Sequence, residues 1–159
     1  MRHAAAVIDS PPSIQEQLVP ELGCFGCGPA NARGLRLRSF PGDDGVTASF
    51  LPWPEHDNGL GYLNGGIISA LLDCHGAAAV LHEADVRGYP PLPGAALPYV
   101  TAGLDVRFLR PAPLVEPVTL LAVVTEAGES QMTVDVELRW DGKPRAAATA
   151  LWKRWRPRP

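Results

Sequence analysis

The stretch Asn64-Gly-Gly-Ile-Ile-Ser-Ala-Leu-Leu-Asp73-Cys-His-Gly-Ala-Ala-Ala-Val-Leu-His82-Glu83 decides the fold. From Gly65 to about Glu83, apolar side chains lie around most of a helical circumference, so the pattern predicts a helix that is buried rather than amphipathic. At 1.5 Å per residue such a helix is about 25–28 Å long. A helix of that kind needs a surface to wrap it, and the flanking segments supply strands.

Before the helix, Gly34–Ser39 alternates Leu35 and Leu37 with Arg36 and Arg38, as a half-buried strand does. Pro41–Gly45 reads as a turn, and Val46, Ala48 and Phe50 continue as a second strand. Pro52–Asn64 is a loop. After the helix, Arg87–Pro98 is a second Pro/Gly-rich loop, and four strands follow. Val100–Phe108 alternates with Thr101, Asp105 and Arg107 on the polar side. Val118–Thr125 is nearly all apolar, which predicts burial on both faces. Met132–Trp140 alternates cleanly, Asp141-Gly142 is a two-residue hairpin turn, and Arg145–Trp152 pairs back. Two strands, one long helix and four strands make an α+β fold with a curved antiparallel sheet of about six strands. Residues 1–22 read as an arm with a short helical turn at Ser13–Val19, residues 23–155 as the domain, and residues 156–159 as a tail.

The charged fraction of 19% and net charge of −3 give no broad basic field, so nucleic acid is not the expected partner. No apolar run approaches the ~18 residues expected of a membrane span, and a cytoplasmic location is the default expectation. Three cysteines, an odd number, do not read as a disulfide framework.

Chemistry concentrates at the helix start. Asn64 is a good N-cap, and Gly65 and Gly66 let a ligand approach the backbone. The first N–H groups of a helix lack internal acceptors and face outward with the positive dipole end, an arrangement that stabilises an oxyanion. Asp73 lies seven residues on, about −20° round the helix from Gly66, on a strip of small residues that includes Ala70 and Ala77. A carboxylate in a buried helix is costly unless it is paired or functional. A structural alternative is that Asp73 reaches across a subunit interface. His75, about 200° from Asp73, cannot share its face and reads as a packed residue.

These residues resemble the hot-dog thioesterases of the phenylacetate-pathway type. That family's pattern is Asn, two residues, Gly, two residues, His-Gly-Gly, then an acid about seven residues beyond; here Asn58, Gly61, Asn64-Gly65-Gly66 and Asp73 keep the spacing, with Asn64 replacing the commonest His. Val100–Pro111, ending Phe-Leu-Arg-Pro, and Cys24-Phe-Gly-Cys27-Gly-Pro…Arg33-Gly-Leu35 resemble further family segments. The resemblance implies a hot-dog fold and hydrolysis of a small or medium acyl-coenzyme A. It also implies roles: Gly66 N–H polarises the carbonyl, Asp73 is general base or nucleophile, Asn58 positions water or carbonyl, and Thr101 assists from the partner subunit. Asn64 and Gly65 line the substrate site. It implies a homodimer, or a dimer of dimers, with sites between subunits and no cofactor beyond the coenzyme A of the substrate. A hot-dog hydratase or dehydratase, for which His56 is the available histidine, and a non-catalytic acyl-CoA-binding module are the alternatives.

The remaining motifs read more plainly. Arg107 and Arg110 suit the phosphates of coenzyme A. Cys24-X-X-Cys27 has half the ligands of a zinc site, with His56 and Cys74 as conceivable additions, but a turn with two packed thiols and no metal is the expectation. The basic tail with Trp152 and Trp155 reads as edge-strand packing.

Overall fold

The computed structural model describes residues 10–159; the first nine residues of the expected arm lie outside the described part. A short helix α1 (Ile14–Leu18) precedes a hairpin of β1 (Ser39–Gly42) and β2 (Gly45–Phe50). The long helix α2 (Gly65–Arg87) follows, and then β3 (Tyr99–Phe108), β4 (Val118–Ala127), β5 (Gln131–Trp140) and β6 (Lys143–Arg154). The strands form one antiparallel sheet in the order β1-β2-β4-β5-β6-β3. The sheet wraps α2, which is the hot-dog arrangement.

α2 is built as its sequence predicts and runs one turn further. Asn64 Oδ1 accepts the N–H groups of Gly66 and Ile67 at 2.8 and 3.3 Å. The C-cap is Gly88, in the left-handed conformation at φ 71° that glycine adopts without strain. By length and composition α2 is apolar enough to cross a membrane, which corrects the expectation that no run approaches that size. In this fold its apolar side chains are buried instead against the sheet: Leu71, Leu72, Ala78, Ala79 and Val80 pack on inward residues of β2, β4, β5 and β6. On β6 those residues are Ala146, Ala148 and Ala150, whose small side chains let the helix come close.

Three sequence expectations are corrected. Gly34–Arg38 is not a strand: Arg36 sits at φ 54°, and Leu35 and Leu37 are buried by pairing with the backbone of Phe25 and Gly26. β1 begins only at Ser39. β4 is not buried on both faces; Val118, Leu120 and Ala122 face the core while Thr119 and Val123 are exposed, because the single sheet has a helix on one side only. β3 does not alternate uniformly. A bulge between Thr101 and Gly103 reverses the parity, so Tyr99 and Thr101 face inward before it and Leu104 and Val106 after it.

α1 does not project from the domain. Ser13 caps it, Ile14 enters the core, and Gln15 opens a chain of fully buried hydrogen bonds. Gln15 Nε2 donates to Ser39 Oγ at 3.1 Å, and Ser39 N–H donates to Gln15 Oε1 at 3.0 Å. Ser39 Oγ and His75 Nδ1 are 2.9 Å apart, and His75 Nε2 faces the Val46 carbonyl at 2.8 Å. Only a donor suits a carbonyl, so Nε2 carries the proton and Nδ1 accepts from the serine. His75 is thus held neutral.

Burial drives the His75 pKa down from 6.5 to about 4, against the smaller opposing effect of its Val46 hydrogen bond. The unfolded chain therefore binds a proton that the folded one refuses. Stability is complete above about pH 6.5 and falls as the pH drops toward 4, by on the order of 3 kcal/mol. Urea denaturation at pH 7 and pH 4.5 should show this loss, and a His75→Asn variant should have a flatter profile. An unchanged slope in the variant refutes the assignment.

Candidate active site

The segment before α2 is shaped by two carboxamide or carboxylate side chains folded onto their own backbone. Asp57 Oδ1 accepts the N–H groups of Gly59 and Gly61, both at 2.9 Å. Asn58 Oδ1 accepts those of Leu60 and Tyr62 at 2.8 and 3.3 Å. Gly59 and Gly61 adopt φ 88° and 84°, which a side chain would resist. The loop thereby presents an open groove of about 480 Å³ whose lining includes Asn58, Gly65, Phe108 and Arg110. At the helix start Gly66 N–H is engaged by Asn64, whereas Gly65 N–H has no acceptor among the described residues.

Asp73 lies elsewhere, on the half-exposed strip of α2 that also carries Ala70 and Ala77. Its Oδ1 accepts the Thr101 hydroxyl at 2.7 Å. Burial raises the carboxyl pKa above its ordinary value, and the Thr101 bond opposes this. The pair opens on a second, mostly apolar cleft of about 250 Å³, bounded by Ala77, Leu97, Val100 and the N-terminal segment at Leu22 and Cys24. The indole N–H of Trp152, another lining residue, is buried with no hydrogen-bond partner among the described residues.

Seven residues of α-helix separate Gly66 from Asp73 by about 10 Å along the axis. The residues expected at the site therefore fall into two groups. Asp73 and Thr101 share one cleft; Asn58, Gly65 and Arg110 share the other groove, beside the Asn64–Gly66 cap. Arg107 is exposed on β3 and lines neither. His56 stacks on Phe50 with ring centroids 5.8 Å apart and lies tilted against Trp53 at 3.7 Å.

Of the two residues that could add to Cys24 and Cys27, Cys74 does so and His56 does not. The three sulfurs lie within 4.8 Å of one another, beside Asp73, and Cys24 Sγ is 3.7 Å from Cys74 Sγ. The neighbouring sulfurs of Cys27 and Cys74 hold the Cys24 pKa far below the usual thiol range, while hydrogen bonding to Cys24 and burial push theirs up. The available signal was Gly26, since a Cβ there would lie 2.2 Å from Cys74 Sγ.

A family model described as the thioesterase superfamily matches residues 60–147, more than half of the chain. The match takes in Asn64–Gly66, Asp73, Thr101, Arg107 and Arg110, and leaves out Asn58 and the cysteine turn. No curated protein sequence matches. Among solved structures, a phenylacetic acid degradation-related protein from Ralstonia eutropha JMP134 is 26% identical, with a TM-score of 0.66, over 88% of this chain and 98% of that one. A thioesterase superfamily protein from Shewanella loihica PV-4 is 23% identical, with a TM-score of 0.61, covering 80% of this chain and 98% of that one. The PaaI protein of the Escherichia coli phenylacetic acid degradation operon is 21% identical, with a TM-score of 0.60, covering 79% and 88%. The fold agrees with the family match, and this chain belongs to the thioesterase superfamily.

Proposed function

We propose that the protein hydrolyses the thioester of a small or medium acyl-coenzyme A, in sites formed between two copies of the chain. Membership of the superfamily supports thioester hydrolysis in general. The observation that carries the finer reading is the Asp73 carboxylate, held by Thr101 at 2.7 Å at the mouth of an apolar cleft. A carboxylate made more basic by burial suits proton abstraction better than a solvated one.

In this reading water attacks the thioester carbonyl carbon and Asp73 takes its proton. The oxyanion is met by the N–H groups at a helix start, those of Gly65 and of Gly66, with Asn64 yielding the Gly66 N–H as the oxyanion forms. Collapse breaks the carbon–sulfur bond, and the leaving thiolate takes the proton from Asp73. In the nucleophilic variant Asp73 attacks the carbonyl carbon, the carbon–sulfur bond breaks to release the coenzyme A thiolate, and water then cleaves the resulting anhydride. Asn58 holds the water or the carbonyl, and Arg110, with Arg107 further out, meets the phosphates of coenzyme A. No cofactor beyond that coenzyme A is required for these steps.

The two-copy arrangement follows from distance. One carbonyl cannot meet Asp73 and the helix-start amides of the same chain across about 10 Å. β3 supports a pairing because it is an edge strand whose outer side is unpaired among the described residues, and such an edge readily accepts another strand. The cleft of one protomer would then face the groove of its partner. The hydratase alternative gains nothing from His56, which stacks on aromatic rings and hydrogen-bonds no carboxylate among the described residues.

Asp73→Asn should lower kcat for acyl-CoA hydrolysis by at least about 100-fold with the fold intact, as loss of a general base does. Full activity in a free-thiol assay overturns the reading, as does wild-type protein inert toward short, aromatic and medium-chain acyl-CoAs. Gly66→Pro removes one N–H at a position where the first helical turn tolerates proline. Co-expressed with Asp73→Asn chains it should restore activity, because one site of each mixed dimer then keeps both native groups. The two substitutions in one chain should restore none, and equal activity in both preparations refutes sites between subunits. Asn64→Ala should cost about 1 kcal/mol of stability through the lost cap while retaining kcat; a collapse of kcat at unchanged fold would assign Asn64 a direct part in the chemistry.

A further inference from the structure

The cysteine cluster is not used by the proposed hydrolysis, yet the chain is shaped to assemble it. Cys24 and Cys27 come from one tight turn, in which Gly28 N–H donates to the Cys24 carbonyl at 2.8 Å. Cys74 comes from the middle of α2, fifty residues away. Two glycines make the meeting possible. A Cβ at Gly28 would lie 2.4 Å from the Cys24 nitrogen, and one at Gly26 would lie 2.2 Å from Cys74 Sγ. The turn is in turn backed by Gly34, where a Cβ would lie 2.3 Å from the Phe25 carbonyl oxygen. Three positions thus exclude a side chain so that one turn can sit against the sulfur of a helix residue.

The geometry points to a binding site for one thiophilic divalent cation, of the zinc class, ligated by Cys24, Cys27 and Cys74. Tetrahedral zinc with Zn–S of about 2.3 Å places its sulfurs about 3.8 Å apart. Here Cys24 and Cys74 are already 3.7 Å apart, and all three sulfurs fall within 4.8 Å. Among the described residues no fourth ligand atom joins the group. The three cysteines line the same cleft as Asp73 and Thr101, so the fourth position opens on that cleft, where water or an incoming thiol can take it. Each of the three thiols gives up a proton on binding, so M²⁺ and three R–SH become a complex of net charge −1 and three protons. A metal here would take Cys74 as the ligand that Cys24 and Cys27 lack, while His56 stays packed against Phe50 and Trp53.

The test uses Co²⁺ alone, added anaerobically to the reduced, metal-free full chain and followed by absorption. One equivalent should produce a thiolate-to-cobalt charge-transfer band in the near ultraviolet and the visible bands of a tetrahedral site, both abolished by Zn²⁺. Cys24→Ser, Cys27→Ser and Cys74→Ser should each weaken Co²⁺ binding by more than about 100-fold, beyond the loss expected of an outer-shell change, with far-ultraviolet circular dichroism reporting the fold. Gly26→Ala keeps every thiol but intrudes on Cys74, and should weaken binding as well. The inference is overturned if the wild-type chain, with three thiols titratable after unfolding, gives no charge-transfer band, or if Cys74→Ser binds Co²⁺ as the wild type does. Neither reading of the spectrum depends on thioester turnover, so failure here leaves the hydrolase proposal standing, and the reverse holds too.

Discussion

The structure depends on hiding a helix that is apolar on nearly every side behind a sheet that has only one layer. Burying Leu71, Leu72 or Val80 fully is worth about 1.5–3 kcal/mol each, and all three are at 1% exposure or less. The inner faces of β2, β4, β5 and β6 cover most of the circumference. They cannot cover the rest, and the N-terminal segment does so, laying Ile14, Cys27, Leu35 and Leu37 on the uncovered side. The Asp73 cleft lies along that seam: α2 forms its floor, β3 and β6 one wall, and the segment at Leu22 and Cys24 the other.

That seam also explains the polar atoms in the interior. A histidine in the middle of a buried helix is tolerable only if both ring nitrogens are satisfied without charge. Ser39 from β1 and the Val46 carbonyl from β2 do this, and Gln15 from α1 satisfies the serine. One side chain of α2 thereby fixes the registration of three other elements. Opposite it on the same helix, Asp73 receives, among the described residues, the Thr101 hydroxyl and partial solvent. Two titratable residues two positions apart are thus held in opposite ways, one closed in the interior and one open to a cleft.

Much of this was legible in the sequence because it rests on period and local chemistry. The helix, its Asn64 cap, the Asp141-Gly142 turn and the strand count follow from residues within a few positions of one another. What was not legible depends on tertiary contact. Leu35 and Leu37 alternate as a strand would, yet they are buried by backbone bonds to Phe25 and Gly26, and Arg36 breaks the extended conformation. The β3 pattern suggested that Thr101 faces outward. The bulge at Ala102 turns it toward Asp73, and no propensity marks that residue as the place where the pleat slips. Cys74 and His56 were equally available to join Cys24 and Cys27 in the sequence, and only the approach of Gly26 to α2 decides between them.

The two halves of the proposed site make different demands on the fold. The helix start must offer N–H groups to a charge that exists only transiently, and in the resting chain Asn64 occupies the amide of Gly66. An N-cap of that kind stabilises the helix by about 1 kcal/mol, an amount a charge-assisted hydrogen bond to an oxyanion exceeds. The Asn64 cap is therefore strong enough to hold the helix start in place and weak enough to be displaced when charge develops. Asp73 faces the opposite demand. Its charge is permanent in the basic form, so its surroundings must tolerate it without neutralising it, and a single hydroxyl donor in an apolar cleft does that. An arginine in place of Thr101 would stabilise the carboxylate and cost it the basicity that proton abstraction requires.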